Sequence, residues 1–439
     1  MARKLFGTDG VRGVAGELLS AELALGLGRA ATALAQAERP QVLIIRDTRE
    51  SGEMLQAALA AGVSAAGGDA LLGGVLPTPA APLSIARYGF DLAAVISASH
   101  NPYADNGIKF FGPDGFKLSD DTELEIEREL EDGAPSARRA IGHVREWHGT
   151  GEDYLRELHT RFAALDLSGL DVLLDCANGA THRVAPEIFR RLGAEVSVVG
   201  DVPDGRNIND GCGSTHVEQL ATQVVAGGHA IGFAFDGDGD RVLAVDGEGA
   251  VVDGDELMAL TALHLKRAGR LSGGGVAVTV MTNYGFHAAM REAGIEVAST
   301  KVGDRYVLEE LRARGWALGG EQSGHIIELD FNRSGDGIAS ALLVLEALAG
   351  APLSARDAMH KLPQRLVNVR VRDRDALTQA ASVADAVKAA DEALSGRGRV
   401  LVRPSGTEPL VRVMVEAPTG EEADHVCGEL VALVERELG

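Results

Sequence analysis

The chain has 439 residues, more than one compact core organises, so two to four domains are expected. Hydrophobic residues make up 45% and charged residues 24%, the balance of a water-soluble globular protein, and the formal net charge of −22 argues against nucleic acid or an anionic membrane as partner. An anionic substrate would therefore have to meet a local cluster of Arg, Lys, metal or backbone N–H groups. The three cysteines, Cys176, Cys212 and Cys427, stand far apart without metal-ligand spacing, which points to free thiols in a reducing compartment. The opening MARKLFGTDG holds no apolar signal segment and no run reaches membrane-spanning length, so a cytoplasmic location is expected.

Strand–helix alternation runs to about residue 350. Ser20 to Ala37 is a helical run. Val42 to Arg46 is a β-branched strand, and Ser51 to Ala66 has helical spacing with Ser51 as its cap. Ala93 to Ile96 is apolar again, and the polar stretch Gly133 to Gly151 reads as a linker. The pattern restarts with strand Val172 to Leu174, helix Val184 to Leu192, and strands Val196 to Val199 and Ile231 to Phe235. A third unit follows: helix Asp255 to Ala268, strand Val276 to Val280, helix Phe286 to Ala293, and strands Val297 to Ser299 and Trp316 to Leu318. Such alternation implies parallel strands flanked by helices. After Leu362-Pro363 the style changes. Leu366 to Val371 and Val411 to Val415 alternate as strands, with helical stretches before and after the loop at Arg403. The predicted class is α/β: three similar α/β domains with mixed sheets (1–150, 151–250, 251–362) and a smaller C-terminal α+β domain (363–439).

Each α/β unit puts one chemically rich segment just after an apolar strand: SASHNP, DGDGDR and GEQSGH. Open α/β sheets bind ligands beyond the carboxyl ends of their strands, so these edges and the fourth domain are expected to face one central cleft. In Asp236-Gly-Asp238-Gly-Asp240-Arg241, carboxylates at alternate positions turn inward together only if the backbone curls tightly. A hard divalent cation is the natural reason to hold like charges so close. An EF-hand loop is excluded, because its sixth and twelfth positions would be Arg241 and Gly247. An acidic surface turn is the plainer alternative.

Ser97-Ala98-Ser99-His100-Asn101-Pro102 offers Ser99 as a hydroxyl nucleophile, although no G-x-S-x-G elbow surrounds it and Asn-Pro suits an ordinary turn. A phosphate on Ser99 beside the aspartates would concentrate a charge of roughly −5. Mg²⁺ bridging Asp236, Asp238, Asp240 and a Ser99 phosphoryl oxygen would balance part of it, with Arg12, Lys109 and Arg241 supplying the rest. In the Gly319 to His325 segment, Glu321 and Ser323 have the chemistry to grip sugar hydroxyls and His325 to shuttle a proton; a flexible polar loop is the alternative. Arg403-Pro404-Ser405-Gly406-Thr407-Glu408-Pro409, with Arg412 beyond, reads as an anion cradle of hydroxyls, N–H groups and guanidinium forks. Gly26-Leu27-Gly28-Arg29-Ala30-Ala31 fits G-x-G-x-x-A, but it lies inside a helical run and predicts helix packing, not a dinucleotide site. P-loop and HExxH patterns are absent.

Taken in order, FGTDGVRG, SASHNPYADNGIKFF, FDGDGDR, GGEQSGH and RPSGTEPLVRV resemble the α-D-phosphohexomutase superfamily, from residue 6 to beyond 412. The segments LDCANGATHRVAPEIFRRLGAEV, PDGRNINDGCGSTH and KVGDRYVLEEL bring the chain nearest the bacterial branch that acts on glucosamine phosphates. The resemblance implies a four-domain, heart-shaped enzyme interconverting glucosamine 6-phosphate and glucosamine 1-phosphate, and so supplying UDP-N-acetylglucosamine and peptidoglycan synthesis. It implies that Ser99 is a phosphoserine, activated by phosphorylation, which with Asp236, Asp238 and Asp240 binds one Mg²⁺. Arg12, Lys109 and His100 would lie in the phosphoryl-transfer centre and Arg241 beside the metal. Glu321 and Ser323 would bind the sugar. Arg403, Ser405, Gly406, Thr407 and Arg412 would hold the phosphate not being transferred. Glucosamine or glucose 1,6-bisphosphate would be intermediate and activator. The partner is then a small phosphosugar, with a homodimer compatible and neither nucleic acid nor membrane involved.

Three alternatives stay open. A mutase of glucose or mannose phosphates uses the same parts. A haloacid-dehalogenase-type phosphatase also carries D-x-D after an apolar strand, with Asp236 then the nucleophile, although Asp240 stands where Thr or Val is usual. A phosphosugar sensor would bind without turnover.

Overall fold

The computed structural model describes residues 4–7, 9–132, 140–405 and 409–439. Among the described residues the chain forms thirteen α-helices and four β-sheets. The strands of the first sheet lie in the order Phe6–Gly7, Gly10–Val14, Asp105–Phe111, Leu92–Ile96, Gln41–Arg46, Asp69–Val75, Val144–Glu146. Those of the second run Val251–Val252, Val242–Asp246, Ile231–Phe235, Asp171–Asp175, Glu195–Val199, and those of the third Glu296–Thr300, Gly275–Thr279, Leu318–Gly320, Ile326–Glu328. Leu92–Ile96 and Ile231–Phe235 are buried at every position, which is why each reads as a continuous apolar run.

The sheets are mixed, and the mixing follows one rule. Leu92–Ile96 pairs in parallel with Gln41–Arg46 but antiparallel with the next strand in sequence, Asp105–Phe111. Ile231–Phe235 is parallel to Asp171–Asp175 and antiparallel to Val242–Asp246. Leu318–Gly320 is parallel to Gly275–Thr279 and antiparallel to Ile326–Glu328. In all three sheets the chemistry-bearing loop is thus the turn between an inner strand and its antiparallel return.

Local expectations need correction at four places. Part of the stretch read as a linker is an edge strand, Val144–Glu146, parallel to Asp69–Val75; all of its residues are exposed, so its sequence is polar. Residues 133–139 of that stretch lie outside the described residues. Ser51 begins the helix Ser51–Ala65 instead of capping it, and its Oγ accepts a hydrogen bond from Asn106 Nδ2 (2.9 Å). The strand expected at Trp316 to Leu318 starts at Leu318 and carries Gly319 and Gly320, the first two glycines of GGEQSGH. Arg403 lies on a strand, Arg399–Pro404, that alternation did not reveal.

Ser20 does cap the helix Ala21–Leu34, its Oγ accepting from the backbone N–H of Leu23 (3.2 Å). The glycines of the G-x-G-x-x-A match lie within that helix. A Cβ on Gly28 would stand 2.4 Å from the Leu59 carbonyl oxygen, and one on Gly62 2.1 Å from that of Leu25, so this helix and Ser51–Ala65 pack backbone to backbone. Helix propensity alone makes Gly→Ala favourable by about 1 kcal/mol. At Gly62 the clash is with rigid backbone, so Gly62→Ala is expected to be a net loss of about 1–3 kcal/mol. A lowered denaturation midpoint checks this, and a raised one contradicts it.

Two compact units divide the chain: Met1–Val280 with Ala298–Arg356, and Met281–Val297 with Asp357–Gly439. The second unit holds the antiparallel sheet Gln364–Arg370, Leu410–Glu416, Arg399–Pro404, with the helices Ala381–Ala393 and Gly420–Leu438 around a valine-rich core. Glu416 is fully buried there and accepts from Arg399 Nε (2.8 Å), Gln364 Nε2 (2.8 Å) and the backbone N–H of Tyr284 (2.8 Å). Among the described residues no helix is long and apolar enough to cross a membrane.

Candidate active site

Ser99 follows the inner strand Leu92–Ile96 and is buried, in the left-handed backbone region with φ 53°. For a residue with a Cβ that conformation costs roughly 1–2 kcal/mol and persists only where the surroundings impose it. They do so here. The Ser99 N–H donates to Ser97 Oγ (2.9 Å), and the Ser99 carbonyl accepts from Arg49 Nη2 (3.0 Å) and Asn209 Nδ2 (2.9 Å). The strained turn aims the side chain at the second sheet, where Ser99 Oγ meets Asp236 Oδ2 at 2.5 Å.

Asp236, Asp238 and Asp240 are buried, with one carboxylate oxygen of each within 4.8 Å of the others; among the described residues they are the one such group. The alternating glycines are a packing requirement. A Cβ on Gly237 would stand 2.6 Å from the Ser99 carbonyl oxygen, and Gly239 has φ +71° with Thr181 Cγ2 only 2.4 Å from where its Cβ would be. Burial, and then the charges of Asp240 and Asp238, push the Asp236 carboxyl well above the ordinary carboxylate range. Asp238 Oδ1 and Asp240 Oδ1 are buried without a hydrogen bond. Unspent acceptors, unrelieved repulsion and an all-oxygen donor set are what a hard cation such as Mg²⁺ satisfies, so the residues fit the ion.

Cations ring the aspartates. Lys109, on the return strand Asp105–Phe111, lies 2.7 Å from Asp238, 3.4 Å from Asp9 and 3.8 Å from Asp240. Burial alone would lower the Lys109 pKa, but Asp238, Asp9 and Asp240 outweigh it and keep the ammonium charged. The same pairing overcomes burial at Asp238 and holds its carboxylate below the usual range; Thr78 Oγ1 also donates to it (2.5 Å). Arg12 pairs with Asp9 and donates to the Ala98 carbonyl (3.4 Å). Arg241 donates its backbone N–H to Asp236 Oδ1 (3.1 Å) and Nη1 to His100 Nδ1 (3.1 Å). Burial first, then Arg241 and Arg12, push His100 down to about 4, so the ring is neutral with Nδ1 as acceptor. His325 is opposite in character. Burial would lower it, but Asp240 (3.5 Å) and Asp304 (3.8 Å) raise its pKa.

A cavity of about 380 Å³ opens over these groups, lined by Asp9, Arg12, His100, Arg241, Asp304, Glu321 and His325 among others. That volume is at the small end for ligand sites, roughly 300–1,000 Å³. Glu321 Oε1 accepts from the Gly303 N–H (3.0 Å). Ser323, two residues on, is exposed and is not part of the lining. Several groups carry no role in the sequence reading: Asp47, Arg49, Thr78 and Asn209, and the half-buried ammonium of Lys117, which bridges Asp9 and Asp304. Asp9 and Asp304 do sit in the matched segments FGTDGVRG and KVGDRYVLEEL, the one signal that marks them.

In the second unit Arg403 and Arg412 are direct partners on adjacent antiparallel strands. Like charges in that position repel. Burial and then the Arg412 charge lower the Arg403 pKa, and Arg412 Nε is buried without a hydrogen bond. Ser405 is buried at the end of the strand, its carbonyl accepting from Arg374 Nη1 (3.0 Å). Gly406 and Thr407 lie outside the described residues. Two facing guanidinium groups have the chemistry to share an anion.

Models of phosphoglucomutase/phosphomannomutase domains match the chain end to end: alpha/beta/alpha domain I over residues 3–136, domain II over 152–249, domain III over 253–366, and the C-terminal domain over 366–433. The chain belongs to the phosphoglucomutase/phosphomannomutase family. The phosphoglucosamine mutase of Moorella thermoacetica is 54% identical over 436 residues, 97% of this chain and 98% of that one. A phosphoglucomutase/phosphomannomutase family protein from Burkholderia thailandensis has the same fold, with TM-score 0.82 and 25% identity over 100% of this chain and 99% of that one. The Aspergillus fumigatus N-acetylphosphoglucosamine mutase, solved in complex with GlcNAc-6P and magnesium, shares the fold at TM-score 0.67 and 18% identity, covering 99% of this chain and 96% of that one. The family member described here is an enzyme, with full-length relatives named for a mutase of glucosamine phosphates.

Proposed function

We propose that the chain interconverts glucosamine 6-phosphate and glucosamine 1-phosphate by phosphoryl transfer through Ser99. The observation that carries this reading is the hydroxyl of a strained serine held 2.5 Å from a buried carboxylate trio with Lys109 behind it. The mutase names of its relatives support the choice of sugar. Magnesium in the fungal complex and the oxygen-only donor set support Mg²⁺ as the ion, held by Asp236, Asp238, Asp240 and an oxygen on Ser99. When bound, it would neutralise charge on the phosphoryl group.

The chain's own residues account for the rest. Phosphorylated Ser99 gives its phosphoryl group to the free hydroxyl of the sugar phosphate, forming a 1,6-bisphosphate, and takes back the other phosphate. The bisphosphate also activates the enzyme by phosphorylating Ser99. Lys109 and Arg12 add fixed positive charge at the transfer, where such charge stabilises the transition state. His325, which lines the cavity, relays the proton that leaves the attacking hydroxyl to the departing oxygen in each half-reaction. Neutral His100 accepts from Arg241 and fixes that guanidinium beside the reacting serine. Glu321, with Ser323 of the same loop, binds sugar hydroxyls.

The second unit supplies a phosphate cradle in Arg403, Ser405 and Arg412, with Gly406 and Thr407 of the same segment. A clamp that reads only phosphate is indifferent to sugar orientation, as a mutase needs. Arg412→Ala is therefore expected to raise KM by about 10-fold or more, since charged hydrogen bonds contribute roughly 1.5–3 kcal/mol, with Mg²⁺ affinity unchanged. An unmoved KM contradicts the cradle. Free thiols at Cys176, Cys212 and Cys427 suit the cytoplasm, where the product would feed UDP-N-acetylglucosamine synthesis.

The test sets the 6-phosphates of glucosamine, glucose and mannose side by side and follows the intact mass of the protein. Preference for glucosamine 6-phosphate, with a phosphate ester on Ser99, is expected. Release of free phosphate with labelling at Asp236 would instead identify a phosphatase.

A further inference from the structure

Arg49 is fully buried, outside the cavity, and takes no part in the chemistry above, yet its guanidinium is saturated. Nε donates to Asp47 Oδ2 (2.9 Å), Nη1 to the carbonyls of Pro102 and Asp105 (2.9 Å for the latter), and Nη2 to those of Ser99 (3.0 Å) and Asn101 (2.8 Å). All five N–H donors of the fork are used. Four of the five go to backbone carbonyls of the single loop that carries Ser99. The partner carboxylate closes the circuit: Asp47 Oδ2 accepts from Ser97 Oγ (2.6 Å), and Ser97 Oγ accepts from the Ser99 N–H (2.9 Å). Asn209, from the second sheet's domain, donates to the carbonyls of Ser99 (2.9 Å) and Asn101 (3.1 Å).

Both backbone polar groups of the strained serine are thereby tied, one through Asp47 and Ser97, the other to Arg49 and Asn209. Burying that many loop carbonyls without donors would be prohibitive, and an unpaired loop would relax toward ordinary φ. Lysine cannot substitute, because its donors radiate from one atom and cannot reach carbonyls on both arms of a planar fork. We propose that Arg49, seconded by Asn209, is the positioning residue of the reactive serine, setting the direction of Ser99 Oγ without touching substrate or ion. This rests on the reading of Ser99 as phosphoryl carrier. A displacement of about 1 Å at a reacting atom costs around 10²-fold in rate.

The test uses the full chain with Mg²⁺ and glucosamine 6-phosphate, comparing Arg49→Lys, Arg49→Ala and Asn209→Ala with the parent. Both Arg49 variants are expected to lose kcat by about 10²-fold while KM stays near the parental value. Transfer of phosphate from the bisphosphate to Ser99 should slow by a similar factor. Sub-denaturing guanidinium should restore part of the kcat of Arg49→Ala, and methylammonium should not; a purely structural role would show no such selectivity. Parental kcat in folded Arg49→Lys, or a kcat loss in Arg49→Ala that guanidinium leaves untouched, overturns the proposal. Should neither Arg49 variant fold, Asn209→Ala decides, with reduced kcat at parental KM supporting the proposal and parental kcat overturning it. A parent enzyme that turns over without ever bearing the Ser99 ester would sink the phosphoryl-carrier reading itself, a distinct result.

Discussion

Ser99→Ala is expected to abolish interconversion of the glucosamine phosphates, by on the order of 10⁴-fold or more, while the protein stays folded. The fold should survive because the backbone bonds that impose the left-handed turn involve the N–H and carbonyl of residue 99, which alanine retains. The lost hydroxyl removes two contacts, that to Asp236 Oδ2 (2.5 Å) and a longer one to His100 Nδ1 (3.4 Å). Burial and the charges of Asp240 and Asp238 raise the Asp236 pKa, and the Ser99 hydroxyl bond works against that rise. The loss of these hydroxyl contacts should move the thermal midpoint by only a few degrees, about 1 kcal/mol. Turnover falls because the ester has nowhere to form, and intact mass should show no phosphate adduct. A variant keeping most of its activity would refute Ser99 as nucleophile.

Magnesium is expected to stabilise the parent and to leave Asp236→Asn nearly untouched. A ligand at about 100 times its Kd adds about 2.7 kcal/mol to the folded state. In chelator the order reverses, because the amide mimics the protonated carboxyl that the buried trio favours, and Asp236→Asn should equal or exceed the parent in stability near neutral pH. The sign of the pH trend follows. The folded pKa of Asp236 is raised, so its contribution to metal-free stability is complete below the ordinary carboxylate range and is lost as pH rises through the raised value. Asparagine removes that trend. Several kcal/mol of transition-state stabilisation lost with the ion corresponds to about 10³-fold in kcat. An equal magnesium-induced shift in parent and variant would show that the trio does not hold the ion. Thermal melts with and without magnesium, at two pH values, measure all of this.

The reacting groups were legible where chemistry is concentrated in one short segment. The glycine-spaced aspartates after Ile231–Phe235 and the serine after Leu92–Ile96 stand at the ends of fully apolar strands, and both are found together. The supporting groups were not legible, because their partners are remote in sequence. Arg49 lies in the short polar run between strand Gln41–Arg46 and helix Ser51–Ala65, and arginine is rarely fully buried; the carbonyls of residues 99 to 105 explain its place. Lys117 joins Asp9 and Asp304 across more than half the chain. The return strand Asp105–Phe111 escaped notice because its first residues are polar, although it carries Lys109. Ser323, the sugar ligand proposed beside Glu321, stands exposed on the loop that turns back at once into Ile326–Glu328.

Because each reactive turn is stapled at both feet into an antiparallel ladder, its length is constrained as well as its reactive residues. Side chains alternate along the return strand, so one inserted residue before Asp105 would swing Lys109 to the opposite face and offer an apolar neighbour to Asp238. Divergence within this enzyme can rewrite only those letters of the three turns that serve neither chemistry nor packing, and a change of length would turn the machinery inside out.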